Sequence, residues 1–200
     1  MASQTIRDRT FEDRATEQFR VRMRPKAIAL YAKLFPGWEF IDLRANGERG
    51  HILDEEYGID AEIRCPGSCS LTLQEKFRDY KHLIEYGDFT QGYMTRYHTP
   101  DVAEGEWFKL NTALYFYGWA DDEESEFVKW IMLDVFTYKL LAVHAGGLDR
   151  LGGRNSLRQN RRWGQTAFYP IQLDALKPAI VASSDEMLIG RTGFLPTPQQ

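Results

Sequence analysis

The sequence has few cysteines, no long apolar run and no leader-like start. Its 200 residues include only two cysteines, Cys65 and Cys69, which are too few for a disulfide framework and indicate a reducing compartment. No stretch approaches the roughly 18 to 20 consecutive apolar residues that span a bilayer. The charged first residues lack the apolar segment of a signal peptide. We therefore expect a cytoplasmic protein that has no membrane partner.

Several common catalytic motifs are also missing. The four histidines form no H-E-x-x-H pattern, and the two cysteines have no second pair at zinc-site spacing. No serine lies in a G-x-S-x-G turn, and neither G-x-G-x-x-G nor a phosphate-binding G-K-[ST] loop occurs. These absences argue against a zinc enzyme, a serine hydrolase and a nucleotide-binding loop.

The composition is that of an ordinary globular domain. The chain is 43% hydrophobic, 14% aromatic and 27% charged, which argues against a largely disordered protein. At this length the residues predict one domain over positions 1–189. The tail at 190–200, which contains Pro196 and Pro198, is expected to be poorly ordered.

The net charge of −4 disfavours a nucleic-acid partner only until the distribution of charge is considered. Residues 1–33 contain eight basic side chains and four acidic ones. Residues 150–162 contain five arginines and no acid. Local clustering decides binding, so an acidic total is compatible with a basic surface. A solvated surface loop explains the same arginines without a partner.

Periodicity divides the chain into helices and strands. Apolar spacings of three and four predict a helix over residues 11–34, which Pro25 is expected to kink or divide. The other expected elements are a strand or helical turn at 39–43, strands at 57–65, 70–77, 114–119, 128–134 and 166–171, a helix at 135–143 and a final helix. This order predicts an α/β (α+β) fold, a mixed central β-sheet flanked by helices.

The strands at 57–65 and 70–77 carry the clearest chemical signal. Pro66 and Gly67 lie between them, which predicts an antiparallel hairpin. Side chains two residues apart share a face of a strand, so four polar side chains are expected to converge: Asp60, Glu62, Gln74 and Lys76. Carboxylate and amide oxygens suit Mg²⁺ or Mn²⁺, and a neighbouring lysine can stabilise charge on a phosphate. A solvent-exposed strand face explains the same alternation without catalysis.

At these residues the sequence resembles the PD-(D/E)xK nuclease superfamily. Gly58-Ile59-Asp60 followed by Gln74-Glu75-Lys76 is similar to the aspartate and the acid-x-lysine motif on the hairpin of those enzymes. The pattern D-x3-G-I-D with Q-E-K-F-R is similar to phage- and plasmid-borne members. The resemblance implies a restriction-endonuclease-like fold and a Mg²⁺- or Mn²⁺-dependent deoxyribonuclease that hydrolyses DNA phosphodiester bonds. The resemblance also implies that the protein can assemble as a homodimer.

The resemblance assigns roles to individual residues. Asp60 is the expected central metal ligand, Lys76 the expected catalytic lysine, and Gln74 a ligand at a position that usually holds an acid. A neutral amide offsets less cationic charge than a carboxylate, so we expect a further acid at the site, with Asp54 and Glu62 as the first candidates. The remaining candidates are Glu55 and Glu56, Glu17 from the first helix, and Glu75, which needs a shifted register to reach that face.

Contacts to nucleic acid are expected from basic residues outside the hairpin. The candidates are Arg78, Lys81, Arg154, Arg158, Arg161, Arg162 and the stacking residue Trp163. Because a glutamine replaces the usual acid, a catalytically inactive nucleic-acid- or protein-binding module on the same scaffold is the alternative function.

Overall fold

A computed structural model describes residues 11–43, 47–67, 69–151, 157–160 and 166–188. Its helices are α1 (Phe11–Leu34), α2 (Gly47–Tyr57), α3 (Tyr80–Glu85), α4 (Glu106–Lys109), α5 (Val135–Ala145) and α6 (Leu173–Leu176), with 3-10 turns at Lys177–Ala179 and Glu186–Leu188. Its strands are β1 (Glu39–Asp42), β2 (Ala61–Arg64), β3 (Ser70–Arg78), β4 (Phe89–Thr95), β5 (Ala103–Glu104), β6 (Leu114–Ala120), β7 (Phe127–Asp134), β8 (Arg158–Asn160), β9 (Thr166–Ile171) and β10 (Ile180–Ser183).

The strands form two sheets. The larger sheet has the order β1-β2-β3-β6-β7-β10, and β3 and β6 are its parallel pair while the other neighbours are antiparallel. The smaller sheet, β5-β4-β9-β8, is antiparallel. The prediction of a mixed central sheet flanked by helices is therefore confirmed.

The larger sheet separates two hydrophobic clusters. On one face, Leu73 packs with Ala27 and Tyr31 of α1. On the other face, Tyr115 and Tyr117 of β6 belong to the cluster that includes residues of β4 and α5. Side chains of β3 alternate between these faces, so Gln74, Lys76 and Arg78 lie on the face opposite α1.

Helix α1 runs through Pro25 without a break, so of the two expected outcomes, a kink or a division, the division into two helices does not occur. A proline leaves the carbonyl four residues earlier without its helical donor. Here that carbonyl belongs to Val21, whose residue is 62% exposed. Water can therefore satisfy the carbonyl, and the helix tolerates the proline.

The first strand of the hairpin is shorter than the sequence predicts, because Tyr57 is the last residue of α2. Gly58 has a φ of +60°, the left-handed conformation that commonly ends a helix. The amides of Gly58 and Ile59 donate to the carbonyls of Asp54 and Leu53. This turn delivers Asp60 to the start of β2.

No helix among the described ranges is long and apolar enough to cross a membrane. The segment at 190–200, which is expected to be poorly ordered, lies outside the described residues.

Candidate active site

The β2–β3 hairpin brings Asp60 and Gln74 into direct contact. Ala61 pairs with Leu73 in the antiparallel register, and the Asp60 amide donates to the Leu73 carbonyl at 2.9 Å. The Gln74 Nε2 donates to Asp60 Oδ2 at 2.8 Å. The Glu75 backbone amide donates to the same oxygen at 2.6 Å. Two of the side chains predicted to converge therefore meet where β2 begins.

The other amide atom of Gln74, Oε1, lies against Gly58. Gln74 is buried, and within the described part of the chain its Oε1 has no hydrogen-bond partner. A buried acceptor without a partner costs about 1–3 kcal/mol. A Cβ added at Gly58 would lie 2.9 Å from this oxygen and 3.2 Å from the Lys109 carbonyl oxygen. Only glycine at position 58 therefore allows the Gln74 amide to keep its present position.

Asp60 lies in an environment that disfavours its negative charge. Burial raises the pKa of Asp60 well above its ordinary range, and repulsion by the Glu75 and Asp54 carboxylates raises it further. Asp54 is therefore a second carboxylate whose charge acts on Asp60. A cation bound here would relieve both the burial of the charge and the repulsion.

Lys76 lies on the same face as Gln74 but is already paired. Its Nζ is 2.6 Å from Glu106 Oε2 and 3.0 Å from the Thr90 carbonyl oxygen. Glu106 also accepts a hydrogen bond from the Tyr115 hydroxyl. Burial lowers the pKa of Lys76, while attraction to Glu106 opposes that shift.

Glu106 is the residue of this site that the sequence reasoning missed. It begins the short helix α4, 30 residues after Lys76 in the chain. Neither helical spacing nor strand alternation distinguishes this glutamate from a surface acid. Only the folding of α4 against β4 brings it to Lys76.

Glu62 does not join the Asp60–Gln74 contact. Its carboxylate lies 3.3 Å from the Arg64 guanidinium, and the residue faces a cleft of about 510 Å³. The lining consists of Ile41, Leu43, Gly50, Leu53, Ile59, Glu62, Arg64, Ser70 and Thr72. Thr72 is two residues before Gln74, so the cleft opens on the face of β3 that carries Gln74. Its volume is in the range of small-molecule sites.

The other candidate acids lie elsewhere. Glu75 points to α1, where its carboxylate is 2.8 Å from the Arg24 guanidinium and accepts from the Tyr31 hydroxyl at 2.9 Å. The register of β2 and β3 is regular, so the shift that Glu75 would need does not occur. Glu17 pairs with Arg20 at 3.8 Å, and Glu56 is exposed. The Glu55 side chain lies outside what the structure describes.

The predicted nucleic-acid contacts differ in position. The Arg78 guanidinium points into the fold and donates to the Tyr117 hydroxyl at 2.8 Å and to Thr90 Oγ1 at 2.6 Å. Lys81 is on the surface, 3.6 Å from Glu85, and Arg158 is exposed on β8. The remaining predicted contacts lie outside the described residues: Arg154, Arg161, Arg162 and Trp163.

In the ranges that the structure describes, no three His, Cys, Asp or Glu side chains gather into a group that could hold a metal ion. The site instead offers the Asp60 carboxylate with Asp54 nearby and the amide oxygen of Gln74. Magnesium keeps several waters and needs only one or two carboxylates from a protein. This donor set therefore fits a hydrated divalent cation.

The chain matches no family model, no curated protein and no solved structure at a significant level.

Proposed function

We propose that this protein is a Mg²⁺- or Mn²⁺-dependent nuclease that hydrolyses DNA phosphodiester bonds, with Asp60 and Gln74 as cation ligands. The observation that carries the proposal is the buried amide oxygen of Gln74, which has no partner among the described residues and belongs to the side chain whose Nε2 donates to Asp60 at 2.8 Å. An unsatisfied buried oxygen is unusual in a folded protein and calls for a specific explanation. A cation ligand is such an explanation.

Asp54 completes the proposed ligand set. Gln74 is neutral, so the carboxylates must supply the negative charge that attracts the cation. The Asp54 carboxylate is close enough to raise the pKa of Asp60. When bound, the cation polarises a phosphate and lowers the pKa of an attacking water.

Lys76 is the proposed partner of the phosphate or of the attacking water. It follows Gln74 by two residues on the same face of β3. In the structure its ammonium group is held by Glu106 and the Thr90 carbonyl. To act on a substrate, Lys76 must exchange at least one of these contacts for a phosphate oxygen or a water.

DNA is the proposed partner because the basic residues are clustered although the total charge is −4. Lys81 and Arg158 are exposed on the described surface, while Arg78 is engaged inside the fold. A DNA complex held by phosphate contacts should weaken as salt rises, in proportion to the number of those contacts. We also propose a homodimer, because cleavage of both DNA strands often uses two copies of a nuclease.

The pairing of Lys76 with Glu106 favours one alternative, a catalytically inactive module that binds nucleic acid or protein. A lysine whose charge is already neutralised by a 2.6 Å contact to a carboxylate serves a structural purpose without any reaction. In that case the Asp60–Gln74 hydrogen bond also has a purely structural role, which is to hold the start of β2 against β3.

A cleavage assay separates the two functions. The wild-type protein, Asp60→Asn and Lys76→Ala are incubated with single-stranded DNA, double-stranded DNA and RNA, with Mg²⁺, with Mn²⁺ and with a chelator. Glu62→Gln and Lys177→Ala are matched controls, because each changes an acid or a lysine that lies outside the Asp60–Gln74 contact and outside the proposed DNA contacts. We expect metal-dependent DNA cleavage in the wild type and both controls, and its loss in the two site variants.

Cleavage that persists in both Asp60→Asn and Lys76→Ala would rule out the proposed site. If the wild type cleaves no substrate but binds DNA with a steep salt dependence, the inactive binding module is the correct function.

A further inference from the structure

Cys65 and Cys69 lie directly opposite each other at the tip of the β2–β3 hairpin. The ladder pairs Arg64 with Ser70, and the Cys65 amide donates to the Cys69 carbonyl at 2.9 Å, which extends the same register. Directly opposed residues of antiparallel strands have Cα atoms about 4.5–5.5 Å apart. Disulfides span Cα separations of about 4.4–6.8 Å. The hairpin therefore holds these two residues at a distance that a disulfide bridges without backbone movement.

The two thiols are free, and the Cys65 thiol donates to the Pro66 carbonyl at 3.5 Å. A hydrogen bond with Cys69 raises the pKa of Cys65, and burial adds to this shift. Cys69 is exposed and Cys65 is half-buried, so a small reagent can reach Cys69 first.

We propose that Cys65 and Cys69 form a thiol modification site that reacts with low-molecular-weight disulfides, such as oxidised glutathione, and closes to an intramolecular disulfide. The site has no part in the cation binding proposed above, and its test does not depend on nuclease activity. The Cys69 side chain is exposed and only three residues separate the cysteines, so a reagent of this size can reach Cys69.

The reaction has two exchange steps. The Cys69 thiolate attacks one sulfur of the small disulfide, whose sulfur–sulfur bond breaks and releases one small thiolate. The Cys65 thiolate then attacks Cys69 Sγ and displaces the second small thiolate. The protons of the two cysteines go to the two released thiolates, so the protein loses two electrons and two protons, and the small disulfide gains both.

The position of the pair connects it to the cleft. Arg64 precedes Cys65, Ser70 follows Cys69, and both line the cleft that contains Glu62 and Thr72. A covalent link one residue away fixes the end of the hairpin that forms this part of the wall. The modification therefore changes the shape of the cleft. It does not act on Asp60 and Gln74, which lie away from the hairpin tip.

The test uses oxidised glutathione and an alkylating reagent. The folded protein is incubated with oxidised glutathione, the remaining thiols are blocked with N-ethylmaleimide, and the intact mass is measured over time. We expect the wild type to lose both alkylatable thiols without retaining glutathione, and to recover both when dithiothreitol is added. Cys65→Ser should retain one glutathione on Cys69, because the second exchange step has no nucleophile.

The same reaction in urea tests whether the folded register matters. Three intervening residues allow some closure in any flexible chain, so we expect the folded wild type to close faster than the unfolded one. Equal or slower closure in the folded protein overturns the proposal. A stable glutathione adduct on the wild type, disulfide-linked dimers or full retention of both thiols also overturns it.

Discussion

Replacing Gly58 with alanine tests the arrangement that places Gln74 beside Asp60. Gly58 has a φ of +60°, and a Cβ there would lie 2.9 Å from the Gln74 Oε1 and 3.2 Å from the Lys109 carbonyl oxygen. Both distances are shorter than an ordinary carbon–oxygen contact. The Gln74 amide is the end of a flexible side chain, so we expect it to move away from its present position.

The expected cost has two parts. A residue with a Cβ pays about 1–2 kcal/mol in the left-handed region. Moving the Gln74 amide also weakens its 2.8 Å hydrogen bond to Asp60, and bonds to charged groups contribute about 1.5–3 kcal/mol when fully lost. Because the bond is displaced rather than removed, we expect Gly58→Ala to lower the free energy of unfolding by about 2–4 kcal/mol in total.

Gly37→Ala is the matched control. Gly37 also has a positive φ, +81°, but a Cβ there would meet no atom of the described residues within 4 Å. This variant should therefore pay only the backbone cost of about 1–2 kcal/mol. Urea unfolding followed by tryptophan fluorescence measures both variants, and thermal unfolding with Mn²⁺ or with a chelator measures the effect of the cation. We expect Gly58→Ala to lose the Mn²⁺-induced rise in Tm and Gly37→Ala to keep it.

Two results would refute this reasoning. If Gly58→Ala and Gly37→Ala lose the same stability, the Cβ contact with the Gln74 amide has no energetic effect. If Gly58→Ala keeps the full Mn²⁺ effect that the wild type shows, the position of the amide does not matter to the cation.

Three further predictions use other groups. Gln74→Glu replaces the Nε2 donor with a second carboxylate against Asp60, so Tm should fall in a chelator and rise more than in the wild type when Mn²⁺ is added. Arg24→Met leaves the fully buried Glu75 carboxylate without its guanidinium, so urea unfolding should show a loss of about 3–5 kcal/mol, most of which the double variant with Glu75→Leu recovers. Burial lowers the pKa of His82 from 6.5 to about 4. Its contribution to stability is therefore present above pH 6.5 and is lost as the pH falls towards 4, and His82→Gln should flatten that part of the stability–pH curve.

Each of these predictions has a contrary outcome. An equal Tm for Gln74→Glu and the wild type, with and without Mn²⁺, means that no cation binds between the two side chains. If Arg24→Met lowers the free energy of unfolding by less than about 1 kcal/mol, which is typical of a surface ion pair, the buried Arg24–Glu75 pair does not have the expected effect. An unchanged stability–pH curve for His82→Gln shows that the histidine is not kept neutral by burial.

The predicted elements agree best where one face of an element is apolar. Residues 114–119 and 128–134 were predicted as strands, and β6 and β7 include both ranges. Strand β4 was not predicted, because its Thr90 and Gln91 are buried polar residues and break the apolar alternation. Their burial is possible only because Tyr117 and Tyr138 hydrogen-bond to them. Such partners come from other parts of the chain and are invisible to a local pattern.

The sequence likewise predicted only part of the site. Alternation placed Gln74 and Lys76 on one face of β3 and predicted that Asp60 would meet Gln74 across the hairpin. It could not show that Glu62 pairs with Arg64. Asp60 and Glu62 are both carboxylates and are two residues apart in the chain, and only the cleft beside α2 distinguishes them.

By itself, the sequence determined which residues of the hairpin share a face, because side-chain alternation in a strand is a local property of the backbone. Only the tertiary structure decided what those faces contact. It paired Lys76 with Glu106 and Glu75 with Arg24, and it left the Gln74 oxygen buried without a partner among the described residues. These pairings join residues far apart in the chain, and they form because the packed sheet and helices exclude water and leave each buried charge only the neighbours that the fold supplies.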